Sequence, residues 1–113
     1  MRILLVEDSV SLRKPVVKAL KNSGFAVDET GDGEEGYWLA CEHEYDVILL
    51  DIMLPGMDGH EILKKLRAEG DETPVLFLTA AKIYVKHAEE RLWQVLAKRH
   101  NPFSRRLGRR SAC

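Results

Sequence analysis

The chain has 113 residues, of which 45% are apolar and 31% charged, the size and balance of one soluble domain whose core stands without disulfide or metal staples. No apolar run reaches the roughly 18 residues a membrane span needs, and the opening Met1 to Asp8 turns acidic too early for a signal peptide, so a cytoplasmic protein is expected. The net charge of −1 hides a division: residues 1–80 hold 8 Lys and Arg against 16 Asp and Glu, residues 81–113 hold 9 against 2, and the basic tail either docks on the acidic body, the simpler reading, or attracts nucleic acid.

Met1 to Val6 is an apolar, branched run broken only by Arg2, as in a strand buried on both faces. Ser9 stands where a helix N-cap would, and Val10, Leu12, Val16, Val17, Ala19 and Leu20 recur at helical spacing until Asn22-Ser23-Gly24 stops the helix. Pro15 lies inside this helix and predicts a kink or a late start. Phe25 to Glu29 alternates like a strand near a sheet edge, and Thr30-Gly31-Asp32-Gly33 turns into a second helix that buries Tyr37, Leu39, Ala40 and Cys41. The two cysteines, Cys41 and Cys113, lack metal-ligand spacing, and no structural disulfide is expected between them.

Asp46 to Leu50 is a third apolar strand, and Leu54-Pro55-Gly56-Met57-Asp58-Gly59 is a loop by its Pro and Gly content. A third helix with Ile62, Leu63, Leu66 and Ala68 inward ends at Gly70, and Thr73-Pro74 introduces a fourth strand, Val75 to Leu78. The order βαβαβαβ predicts an α/β fold: a doubly wound parallel sheet with right-handed crossovers and helices on both faces. Ligands of such sheets bind outside the carboxyl ends of the strands.

Glu7 and Asp8 follow the first strand, Asp51 the third and Thr79 the fourth, so all four converge on one rim. Three carboxylates there repel one another unless a cation lies between them, and Mg²⁺, a hard ion that keeps several waters, suits such oxygen ligands. Plainer roles stay open: Glu7 and Asp8 as an acidic start to a helix, Asp51 as a cap, Thr79 as an ordinary strand-end hydroxyl.

Val6-Glu7-Asp8-Ser9, Asp51-Ile52-Met53-Leu54-Pro55-Gly56-Met57-Asp58-Gly59 and Leu78-Thr79-Ala80 resemble the response-regulator receiver domain of two-component signalling, in wording most like the subfamily that carries a winged-helix DNA-binding domain. The resemblance covers residues 1–80 and implies a flavodoxin-like receiver fold. It implies that Asp51 accepts a phosphoryl group from a sensor histidine kinase, that Asp8, Asp51 and the Met53 carbonyl hold Mg²⁺ with Glu7 acting through water, and that Thr79, followed by Ala80, contacts the phosphoryl group and switches the next loop. The protein is then a signalling module rather than an enzyme with an external substrate.

Beyond Ala80 the resemblance weakens. Asn101-Pro102-Phe103 stands where the family keeps Lys-Pro-Phe, so a neutral amide occupies the place of the cation that contacts the phosphoryl group. Val85, Ala88, Leu92, Val95 and Leu96 share one helical face, and one helix is expected from about Tyr84 to Arg99, which leaves the sheet with four strands and no fifth strand or last helix. Residues 1–80 thus form the receiver core, 81–103 an atypical helix and Asn-Pro-Phe segment, and 104–113 a basic tail. The uncovered sheet edge points to a homodimer or a domain-swapped dimer. Four arginines without interleaved aromatics cannot read base edges, so this chain alone is not expected to bind specific DNA. The rival reading is a non-switching receiver that serves as an oligomerising scaffold.

Overall fold

A computed structural model of the chain describes residues 1–78. Seven elements follow one another: β1 (Arg2–Val6), α1 (Val10–Asn22), β2 (Ala26–Thr30), α2 (Gly33–Glu42), β3 (Val47–Asp51), α3 (Gly59–Ala68) and β4 (Val75–Leu78). The strands form one sheet in the order β2-β1-β3-β4, and every pairing is parallel. This is the expected βαβαβαβ order, with strand bounds within one residue of the expected ones and β4 matching throughout.

Because successive strand residues face opposite sides, the two central strands feed two cores. Ile3 and Leu5 of β1 and Val47 and Leu49 of β3 pack beneath Val16, Val17 and Leu20 of α1. Leu4 and Val6 of β1 and Ile48 and Leu50 of β3 face Ala40, Ile62 and Leu66 of α2 and α3. All eight strand side chains are at most 1% exposed, which is why both strands read as unbroken apolar runs.

Side chains cap all three helices at their N-termini. Ser9 accepts from Leu12 N–H, Asp32 from Glu35 N–H at 2.8 Å and Asp58 from Glu61 N–H at 2.9 Å. Gly24 and Gly70, with φ of 95° and 84°, take the left-handed turns after α1 and α3. The late start foreseen for α1 does not occur, since the helix begins at Val10 and runs through Pro15. Pro15 and Ser11, four residues before it, are both exposed, so water can replace the donor that proline lacks.

Some side chains expected inward are not. Val10 and Leu12 are 55% and 41% exposed, because α1 packs through its last two turns while its first turn overhangs the strand ends. Ala68 is exposed and Leu63 is half-buried, whereas Tyr37 and Leu39, though only partly buried, pack against the core as expected. Gly33 and Gly36 are buried instead, Gly33 against the Met57 backbone and Gly36 against the sheet, where a Cβ would stand 2.9 Å from Val6 Cγ2. Cys41 is buried as expected, while the expectation of no disulfide turns on Cys113. Cys113, Thr79, Ala80, the helix expected from Tyr84 to Arg99, Asn101-Pro102-Phe103 and the basic tail lie outside the described residues. Among the described residues no helix is long and apolar enough to cross a membrane.

Candidate functional site

Sheet register assembles the site. Val6 of β1 lies beside Leu50 of β3, so the next residues of the two strands, Glu7 and Asp51, emerge side by side at the carboxyl rim. Asp8 is one residue further on in the loop to α1. The carboxylates of Glu7, Asp8 and Asp51 each offer an oxygen within 4.8 Å of the others. Glu7 and Asp51 are 4% and 6% exposed, while Asp8 faces solvent. Asp51 pairs with Leu78 of β4, and Thr79, the next residue in the chain, lies outside the described residues, as do Ala80 and Asn101.

Local hydrogen bonds fix these carboxylates. Ser9 N–H donates to Glu7 Oε2 at 2.9 Å and Met53 N–H to Asp51 Oδ1 at 3.4 Å. Glu7 N–H donates to the Thr30 carbonyl at 3.0 Å. The loop from Ile52 to Asp58 is closed across its ends by Gly59 N–H to the Ile52 carbonyl at 2.8 Å and held at its middle by Gly33 N–H to the Pro55 carbonyl at 2.9 Å. Glycine is required at both ties, because a Cβ on Gly59 would lie 2.4 Å from the Asp51 carbonyl oxygen. Met53, 79% exposed, sits in this loop, whose residues Ile52, Met53, Leu54, Pro55 and Asp58 line, with Asp8, an open cavity of about 510 Å³.

The electrostatics of the cluster follow from burial and like charge. Burial pushes the Glu7 carboxyl up to about 7, the charges of Asp51 and Asp8 add to the rise, and the Ser9 N–H opposes it. Burial also raises Asp51, with the Asp8 charge in the same direction, against hydrogen bonds from the Met53 N–H and from Glu7. Near neutral pH the Glu7 carboxyl therefore still holds part of its proton. A site that holds back ionisation in this way is short of positive charge, and its donors are hard oxygens, so a small divalent cation fits it.

Two contributors were not singled out in the sequence. Arg13, whose side chain is 14% exposed, donates from Nη1 to the Glu7 carbonyl at 2.7 Å and from Nε to Glu29 Oε1 at 2.9 Å. Gly31 makes room for it, as a Cβ there would stand 2.7 Å from Arg13 Nη1. The signal for Arg13 was a lone cation one turn into the helix after two acidic residues, too common a pattern to decide anything.

The response regulator receiver domain family matches residues 3–103. The chain belongs to that family. The match extends past the three motifs to take in Asn101-Pro102-Phe103. Transcriptional regulatory protein HprR of Escherichia coli K12 is 46% identical over 80 residues, 71% of this chain and 35% of that protein. The probable transcriptional regulatory protein SilR of Salmonella typhimurium gives the same figures. This receiver thus spans about a third of the length of the curated relatives it matches, and their names accord with the transcription-factor subfamily that its motifs resemble.

Among solved structures, the receiver domain of hybrid histidine kinase CckA is 36% identical, with a TM-score of 0.72 over 85% of this chain and 99% of that one. The receiver domain of a Pseudomonas aeruginosa PAO1 sensor histidine kinase, with a magnesium ion coordinated in its active site cleft, is 24% identical with a TM-score of 0.73 over 85% and 97%. It shares the fold. The doubly wound sheet is accordingly the flavodoxin-like receiver fold, and the chain is a receiver module of two-component response regulators.

Proposed function

We propose that this receiver takes a phosphoryl group from a sensor histidine kinase onto Asp51, with Mg²⁺ held by Asp8, Asp51 and the Met53 carbonyl and with Glu7 reaching the ion through water. The observation that carries this reading is the convergence of the Glu7, Asp8 and Asp51 carboxylates within 4.8 Å, two of them buried and short of positive charge. A receiver of the same fold with magnesium in its cleft supports it.

The divalent ion supplies charge neutralisation of the phosphoryl oxygens, without which a carboxylate is repelled by its target. The chain supplies the rest. Asp51, at the end of a fully buried strand, presents an oxygen at a fixed place on the rim. The new oxygen–phosphorus bond forms as the donor's nitrogen–phosphorus bond breaks and its imidazole takes up a proton, leaving an acyl phosphate on Asp51. The open cavity beside Met53 and Pro55 gives the donor its approach. Thr79 and Ala80 follow β4 next to Asp51's strand partner and are read as the phosphoryl contact that turns the chemistry into a change of surface. Asn101 stands in for the family's lysine as a neutral donor, so the phosphorylated state loses one cationic contact.

Intact-protein mass spectrometry after incubation with Mg²⁺ and a small-molecule phosphodonor tests the reading. One phosphate on the wild type and none on Asp51→Ala is expected. A folded wild type that binds Mg²⁺ and gains no phosphate would refute it.

A further inference from the structure

The chain leaves the sheet at Glu7, and its last ladder bond on that side is Glu7 N–H to the Thr30 carbonyl. Beyond it the peptide between Glu7 and Asp8 must aim two carboxylates toward a third, and like charges drive such groups apart. Arg13 restrains that peptide. Its guanidinium bridges the Glu7 carbonyl and Glu29 of β2, at 2.7 and 2.9 Å, and Lys14 Nζ steadies the same Glu29 oxygen from 3.1 Å. Gly31 closes the cradle, since a Cβ there would meet Arg13 Nη1 at 2.7 Å and Asp8 Cα at 3.4 Å.

We infer that Arg13 is a positioning residue of the acidic site: it clamps the Glu7 carbonyl to β2 and so sets the path of the Glu7-Asp8 peptide and the aim of both carboxylates toward Asp51. A planar guanidinium serves two acceptors at a fixed angle; the ammonium of a lysine, a compact charge on a flexible stem, does not hold that fork. The rival account, that Arg13 is merely a positive charge near an acidic cluster, makes the opposite prediction. Removing a bare cation tightens the binding of another cation, whereas removing a clamp weakens it.

The metal arm of the test rests on the proposed Mg²⁺ site; the exchange arm does not. Calorimetric Mg²⁺ titrations and metal-free amide hydrogen exchange are compared for the wild type, Arg13→Lys and Arg13→Gln, with Arg13→Lys deciding if Arg13→Gln fails to fold. The expected result is Mg²⁺ binding weakened about tenfold, as for the loss of partners that orient metal ligands. In the metal-free variants the Ser9 amide, which bonds Glu7 Oε2, exchanges at least about tenfold faster, while Ile62 and Leu66 of α3 keep their rates. Unchanged Ser9 exchange overturns the inference, as does faster exchange that extends to α3, or Mg²⁺ binding that is unaltered or tightened in a variant whose Ser9 amide has loosened. A wild type that does not bind Mg²⁺ defeats the functional reading, and Ser9 exchange then decides the inference alone.

Discussion

A Cβ placed on Gly33 would stand 1.8 Å from the carbonyl oxygen of Met57, so the first residue of α2 and the loop after β3 meet backbone to backbone. That contact joins two parts of the site rim that are distant in the chain. The Gly33 N–H also bonds the Pro55 carbonyl, and Gly56, with φ of 85°, turns the loop beside Asp32. The loop that carries Met53 is thereby held at a fixed height over Asp51.

Gly33→Ala separates this contact from ordinary helix propensity. In a helix Ala is favoured over Gly by up to about 1 kcal/mol, and Gly33 needs no left-handed backbone, so propensity alone predicts a more stable protein. The clash with Met57 predicts a loss of about 2 kcal/mol or more, a fall of roughly 10 °C in Tm for a domain of this size. Gly24→Ala, where φ is 95° but nothing lies within 4 Å, is expected to cost only about 1 kcal/mol. A Gly33→Ala variant that melts at or above the wild type would show that the loop moves aside freely.

Glu7 makes the metal-free protein sensitive to pH in an unusual direction. Its carboxyl titrates near 7 in the fold, against an ordinary 4.5, so between those values the folded chain binds a proton that the unfolded chain has released. Stability therefore falls as pH rises through this window, by on the order of 2 to 3 kcal/mol in all, and the raised Asp51 carboxyl adds in the same direction. Glu7→Gln should flatten most of the slope and melt above the wild type at pH 8. Urea unfolding in a chelator at pH 5 to 8 reads this out, and a wild type that grows more stable with rising pH contradicts it.

These particulars mark what the chain of letters reveals. The strands were legible because burial on both faces leaves an apolar run, and the acidic rim was legible because strand ends in a parallel sheet share one edge. Where α1 ends its contact with the sheet was not: periodicity groups Val10 and Leu12 with Val16 and Leu20, but only the three-dimensional overhang exposes the first two. Arg13 and Gly33 act across segments 16 and 24 residues away, on Glu29 and Met57, and no local pattern records such contacts. Glu7, Asp8, Asp51 and Met53 stand at the rim where the motifs placed them.

At the opposite end of the sheet, Tyr45 and Arg2 share one carboxylate oxygen. Tyr45 OH donates to Asp28 Oδ2 at 2.7 Å, and Arg2 donates to it from Nε at 3.1 Å and Nη2 at 2.7 Å. Burial raises the Asp28 carboxyl, but the hydrogen bonds from Tyr45 and Arg2 and the Arg2 charge outweigh it and hold the group below its ordinary range. Its contribution to stability is present above pH about 4 and is lost as the pH falls through the depressed value. Tyr45→Phe leaves Asp28 paired with Arg2, so the expected cost is about 1 kcal/mol, with an upward shift of the Asp28 titration by NMR. An unmoved titration would mean that Arg2 alone sets it.

Asp51→Asn distinguishes a carboxylate kept for chemistry from one kept for the fold. In the metal-free protein Asp51 is buried beside Asp8, and its carboxyl is raised by both, so its charge works against folding. An amide of the same shape keeps an oxygen for the Met53 N–H and removes the repulsion. We expect Asp51→Asn to melt higher than the wild type in a chelator at pH 7.5, by about 1 kcal/mol in stability. Excess Mg²⁺ should then raise the wild-type Tm through linkage to the folded state and leave the variant nearly unmoved, reversing their order. If the order is instead the same with and without Mg²⁺, with the wild type always the more stable, Asp51 is a structural residue and the ion is not held at this rim.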